Sequence, residues 1–242
     1  MNLRHLLVFA GLSMASLKGH GFTLIPISAT VEPKGYGVSA SFRVENETSN
    51  RVAFQISMRT RDVDEFGKET MVGASNLFTI FPQQGIIPPG QKQNVRVVWK
   101  GSANPTNELA YRIVAEELPV DLEREKTQSH IKVLLKYVGS LYVRPKNCKS
   151  QLQITRLARA VDGNSTNAYE FAVTNVGTAH QGLINPVMTI TDGQGAKTEL
   201  RGEQLPGIEG QNILANHTRR FRVALPPAFK EEGYQADIRV DE

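Results

Sequence analysis

The chain has 242 residues, of which 40% are hydrophobic and 21% charged. That length allows one or two domains, and the composition excludes an intrinsically disordered chain. The net charge of +4 comes from Lys and Arg scattered along the sequence. It lacks the clustered basic stripe that nucleic-acid binding requires, so it reads as surface charge that favours solubility.

Met1-Asn2-Leu3-Arg4-His5 is a short positive leader, and residues 6–17 form a mainly apolar run. The run is too short to cross a bilayer, which needs about 20 apolar residues. Gly19-His20-Gly21 follows with small residues at the offsets of a cleavage site after Gly21. Residues 1–21 therefore read as a secretory signal peptide. No later stretch reads as a membrane span, so an exported protein without membrane insertion is expected. Cys148 is the only cysteine, which excludes an intramolecular disulfide and any multi-cysteine metal site.

The remaining chain reads as all-β, because short alternating or β-branched runs are separated by turn residues at fairly regular spacing. Residues 22–25 start a first strand, and Pro26 suits a sheet edge. Residues 38–44 alternate cleanly, 46–50 form a turn and 52–58 the next strand. Residues 64–68 read as a loop, 78–81 as a short strand, and Pro88-Pro89-Gly90-Gln91 as a turn. Strands follow at 94–99 and 111–115, and residues 119–130 are polar and aperiodic and read as a loop. A long strand is predicted over 131–138, running on through 141–143. Arg144-Pro145-Lys146-Asn147 reads as a hinge, since proline fixes one dihedral. Runs at 152–157, 169–174, 187–191, 219–225 and 234–240 then predict a second, smaller β domain.

No enzyme motif stands out. His130, His180 and His217 are isolated in sequence, without metal-ligand spacing, so no metal site is expected. A phosphate-cradling Gly-rich loop and a Gly-x-Ser-x-Gly turn are both absent. Glu116-Glu117 and Glu231-Glu232 are adjacent pairs, and strand neighbours point to opposite faces, so neither forms an acid/base pair. No cofactor is implied.

The informative segment is the strand from Ile131. Ile131, Val133, Leu135 and Tyr137 share one face, and a charged loop precedes them. This pattern fits an ordinary half-buried sandwich strand. It also fits an edge strand offered to a partner, where main-chain hydrogen bonds supply affinity and alternate side chains fill pockets.

Several stretches carry a family resemblance. They are Phe81-Pro82, Ile87-Pro88-Pro89-Gly90-Gln91 with Val95-Arg96-Val97, residues 111–119, and Leu141-Tyr142-Val143-Arg144-Pro145. Their order and spacing resemble the periplasmic pilus-assembly chaperones of the chaperone–usher pathway. The match is loose in the second half, where residues 173–178 are similar to an Asn-Pro-Thr turn without its proline. The resemblance implies two immunoglobulin-like β-sandwich domains in a boomerang, at 22–144 and 145–242. It also implies a periplasmic chaperone that binds, folds and caps pilin subunits by donor-strand complementation and delivers them to an outer-membrane usher. Ile131, Val133, Leu135 and Tyr137 would form the donated row. A structural or adhesive sandwich protein of a surface fibre is the alternative. Whether the free chain self-associates is left open.

The sequence departs from the family at one place. The basic pair that usually clamps the subunit's terminal carboxylate falls on Ser28 and Ser140 here. That places the chain closer to the archaic branch and implies other cations for the anchor. Arg112, Lys136 and Arg96 are the candidates, since a buried carboxylate needs a charged or hydrogen-bonding partner. Glu108 and Arg144 fall at positions that form an interdomain ionic link in the family, with Glu231 or Glu232 as a third member.

Overall fold

The computed structural model describes residues 21–120, 133–160, 168–225 and 234–241. In the first half, β1 (Phe22–Ile25), β2 (Ser28–Val31), β3 (Ser39–Asn46), β4 (Val52–Thr60), β5 (Asp62–Val63) and β6 (Glu69–Thr70) come first. They are followed by β7 (Phe78–Phe81), β8 (Gln84–Ile87), β9 (Lys92–Trp99), β10 (Leu109–Glu117) and β11 (Lys136–Val143). The second half holds β12 (Leu152–Arg159), β13 (Ala168–Asn175), β14 (Gln181–Gly182), β15 (Pro186–Thr191), β16 (Lys197–Arg201), β17 (Asn212–Ile213), β18 (Thr218–Ala224) and β19 (Gln235–Val240).

Two sheets of the first half, ordered β1-β3-β9-β7 and β2-β11-β10-β4-β8, pack face to face. Alternation places Val95, Val97 and Trp99 of β9 against Tyr111, Ile113 and Ala115 of β10 and Phe54, Ile56 and Met58 of β4. Phe78, Trp99 and Tyr111 form an aromatic cluster with ring centroids 5.0 to 5.5 Å apart. Burial raises the pKa of the Tyr111 phenol. The second half builds a separate core from Phe171, Leu183, Met188, Ile190, Phe221 and Ile238, among others, between sheets β12-β13-β18 and β16-β15-β19. The fold is thus all-β, with two immunoglobulin-like sandwiches.

Each sandwich pins a loop with one buried asparagine. Asn46, at the end of β3, donates from Nδ2 to the carbonyls of Asn50, Ile87 and Pro88, and its Oδ1 accepts from Thr48. Asn175, at the end of β13, donates to the carbonyls of Ala179 and Ile213 and accepts from the amides of Gln151 and Gly177. Gly177 follows because a side chain there would strike the backbone: a Cβ would lie 2.3 Å from the Lys149 carbonyl oxygen. These bonds give residues 173–178 their shape without a proline.

The first strand changes sheets at Pro26. β1 pairs antiparallel with β3 in one sheet, and β2 pairs parallel with β11 in the other. Residues 64–68, expected as a loop, form the tip of the small β5–β6 hairpin. The long strand expected from Ile131 begins at Lys136 instead. Ile131 lies outside the described residues, as do the leader, Glu231 and Glu232. Val133 and Leu134 are exposed, and no described strand pairs with them, so the ladder that defines a strand starts only where β10 supplies it.

Candidate functional site

β11 lies between β10 and β2, but β2 covers only part of its length. β10 pairs with β11 from Lys136 to Val143, whereas β2 pairs only from Ser140 to Val143. The amides of Ser140 and Arg144 donate to the carbonyls of Ile27 and Val31, so the even-numbered residues face the β2 side. By the same alternation, the main-chain groups of Lys136 and Val138 face an edge that no described strand occupies. Such an edge is a template for another strand.

Side chains along this edge are apolar on one face. Val133 is 72% exposed. Leu135 and Tyr137 are half-buried and pack against the margin of the first core, with the Tyr137 ring 6.0 Å from that of Phe22. Leu135 is tied to β10: its carbonyl accepts from the Glu117 amide at 2.9 Å. The structure thus places Val133, Leu135 and Tyr137 in one segment leading into the open edge.

The three candidate anchor cations lie in different places. Arg96 is on β9, in the opposite sheet, and donates to Ser39 Oγ at 3.2 Å. Lys136 is exposed and pairs with Glu116 at 2.8 Å. Arg112 is on β10, on the face turned away from the core, since its neighbours Tyr111 and Ile113 point inward. Registers across four strands set Ser28, Ser140, Arg112 and Arg59 in one row. The two serines at the positions of the usual basic pair are therefore direct neighbours, and Arg112 reaches across to Ser140 Oγ at 2.7 Å.

Arg112 is also forked onto a carboxylate. Its Nε and Nη2 donate to the two oxygens of Glu69 at 2.6 and 2.5 Å. Arg61 Nε donates to Glu69 Oε2 at 3.1 Å, and Arg61 Nη1 donates to the Tyr142 hydroxyl at 2.7 Å. Burial works to raise the Glu69 pKa, but Arg112 and Arg61 outweigh it and hold the carboxyl below its ordinary range. Glu69 carries no local signal of this role, because it lies far from Arg112 along the chain.

Beside this row the two sandwiches meet. Tyr142 packs with Val63, Ala110 and Leu214, and its hydroxyl accepts from Asn212 Nδ2 at 2.8 Å. Glu108, with its side chain only 2% exposed, takes Arg144 on one oxygen. Its other oxygen takes the His180 amide at 3.1 Å and the His180 ring Nδ1 at 2.5 Å. Among the described residues, a histidine of the second sandwich thus joins this link, since an imidazole can donate to a carboxylate. The β5–β6 hairpin adds a second set of ties: Asp62 to His217 and Glu65 to Arg220, both at 2.7 Å. His180 and His217, isolated in sequence, are both interface residues. Among the described residues no cluster of metal-ligating side chains occurs.

Comparisons with known proteins bear on this arrangement. Residues 28–149 match the family model for the N-terminal domain of pili and flagellar-assembly chaperones of the PapD type. No curated protein matches the chain in sequence. Among solved structures, the class 5 fimbriae chaperone CfaA is similar with a TM-score of 0.58 at 16% identity, covering 92% of this chain and 100% of that one. A complex of the CsuC chaperone with the tip subunit CsuE, from archaic pili of Acinetobacter baumannii, matches with a TM-score of 0.52 at 16% identity, over 83% of this chain and 89% of that one. A Salmonella enterica complex of the SafA pilin with the SafB chaperone matches with a TM-score of 0.53 at 16% identity, over 85% of each chain. At these identities the likeness speaks for the fold.

Proposed function

The chain belongs to the family of pilus-assembly chaperones, and from that premise we propose that it binds pilin subunits by lending them the segment that leads into β11. The observation that carries this reading is the edge of β11 from Lys136 to Gly139, which no described strand pairs with on the β2 side and which apolar Val133, Leu135 and Tyr137 flank. A subunit whose own sandwich lacks a strand exposes an apolar groove and an unpaired sheet edge. The lent segment answers both, with main-chain hydrogen bonds at the edge and alternate side chains in the groove. Ile131, one step further along the same alternation, extends the row. The work is capping and folding, not catalysis. The complex forms in the periplasm and passes its subunit to an outer-membrane usher. Family membership favours this reading over a fibre subunit.

Arg112 is the anchor for the subunit's terminal carboxylate. Of the three candidates it alone stands in the row with Ser28 and Ser140, at the margin of the interface between the sandwiches. Arg96 lies in the other sheet, and Lys136 is exposed and paired with Glu116.

The test is periplasmic co-purification with a candidate pilin, using wild type, Val133→Asp and the double change Val133→Asp with Leu135→Asp. The expected result is a soluble complex with wild type, a weakened one with the single change and none with the double change. The single change alters an exposed side chain, so it tests the strand without burdening the core. Retention of the subunit by both folded variants would overturn the donor-segment assignment.

A further inference from the structure

The Arg112–Glu69 fork has the geometry that an incoming carboxylate would use. Two parallel N–H···O bonds between guanidinium and carboxylate are the preferred arrangement for this pair. Glu69 fills that position from within the same chain. We propose that Glu69 is a resident stand-in for the partner's carboxylate, and that the partner's group enters between Arg112 and Arg59 as Glu69 withdraws. The proposal rests on Arg112 as the anchor.

Three observations point the same way. First, Arg59 is the next residue in the row after Arg112, its direct cross-strand partner. Two guanidinium groups directly opposite one another repel unless an anion lies between them. The Arg59 Nε is buried and has no hydrogen-bond partner among the described residues, so a second donor stands unused beside the fork. Second, Arg61 and Arg112 share the single carboxylate of Glu69, and with Arg59 beside them this leaves positive charge to attract another anion. Third, Glu69 has somewhere to go. It already touches Arg61 at 3.1 Å, and it sits on a two-residue strand that pairs only with β5. Sliding off Arg112 onto Arg61 keeps it ion-paired, so the exchange does not strand a charge.

This arrangement makes the site selective. A partner ending in a neutral group gains nothing by moving Glu69, so the Arg112–Glu69 fork stays closed to it. A partner with a free carboxylate replaces one charge-assisted fork with another and adds bonds to Arg59. The resident carboxylate also lowers the apparent affinity by the fraction of molecules in which Arg112 is occupied.

The test uses the full chain and two probes, measured by fluorescence anisotropy. One is a short labelled peptide of alternating apolar and polar residues ending in a free carboxylate; the other is its C-terminal amide. Wild type is expected to prefer the acid. Glu69→Gln is expected to tighten the acid by about tenfold, the worth of one charge-assisted bond, and to leave the amide unchanged. Arg59→Ala is expected to weaken the acid by about tenfold with the amide again unchanged. If Arg112→Ala abolishes the preference for the acid but Glu69→Gln fails to tighten it, the anchor stands and the stand-in is overturned. If Arg112→Ala keeps the preference, or wild type shows none or binds neither probe, the anchor fails and the stand-in with it. Loss of binding to both peptides in Glu69→Gln, with an unchanged melting curve, also overturns the proposal, since it would make Glu69 a supporting contact.

Discussion

The His180 ring stacks on that of Tyr142, with centroids 3.8 Å apart and planes inclined by 19°. One residue comes from the second sandwich and the other from β11 of the first. The same imidazole holds Glu108, so packing and charge meet at a single side chain between the domains. A tie of this kind fixes the relative orientation of two bodies more firmly than a surface ion pair, because Glu108 is shielded from water.

Removing one partner should therefore loosen the junction. Glu108→Ala leaves Arg144 and His180 without their acceptor and is expected to cost about 3 kcal/mol, read from urea unfolding. Small-angle scattering should show a broader distribution of domain orientations. An unchanged scattering profile and unfolding midpoint would mean that the contact is incidental.

The acid dependence of stability follows from the same carboxyl. Burial works to raise the Glu108 pKa, but hydrogen bonds from His180 and Arg144 outweigh it and hold the folded-state pKa below the unfolded value. The contribution to stability is then fully present above the unfolded pKa and is lost as pH falls through the folded one. Glu69 behaves alike, with its folded-state pKa also depressed. Thermal melts stepped downward from neutral pH through the carboxylate range should fall. The fall should be shallower in Glu108→Gln with Glu69→Gln, and equal slopes would contradict the assignment.

Asn175→Ala strips hydrogen-bond partners from the carbonyls of Ala179 and Ile213 and the amides of Gln151 and Gly177. A loss of roughly 3 kcal/mol is expected from these unsatisfied groups. It should be confined to the second sandwich, so hydrogen exchange in the first-sandwich core should not change. A melting curve within a degree or so of wild type would show that water replaces the side chain.

Val133→Asp and Leu135→Asp should differ in stability though they neighbour one another on the same face. The first alters an exposed side chain and is expected to stay within about 0.5 kcal/mol of wild type. The second places a charge against the first core and is expected to cost about 2 kcal/mol. Equal costs in urea unfolding would mean that Leu135 is not packed as described.

The sandwich strands were legible where one face is buried. Val95, Val97 and Trp99 of β9 and Tyr111, Ile113 and Ala115 of β10 alternate because core and solvent alternate on either side of them. The β5–β6 hairpin escaped that logic: Asp62-Val63 and Glu69-Thr70 are mostly polar, and long-range ion pairs hold them. His180 carried no local signal either, because its partners Glu108, Arg144 and Tyr142 are brought to it by the fold. The apolar alternation from Ile131 overstated the strand, which begins at Lys136. Alternation marks which side chains share a face, whereas a strand also needs a neighbour for its backbone.

The switch of the first strand at Pro26 has a consequence for how the molecule is made. Among the described strands β2 pairs with β11 alone, an early strand of the first sandwich joined to its last. A local hairpin such as β5 with β6 cannot finish that sheet. During synthesis the first sandwich must wait, with β10 uncovered on one side, until residues beyond Val143 have emerged. Its closure is a long-range event of the slow kind. A fragment ending at Val120 should therefore be an unfinished sandwich with an open sheet of its own, more prone to self-association than the intact chain.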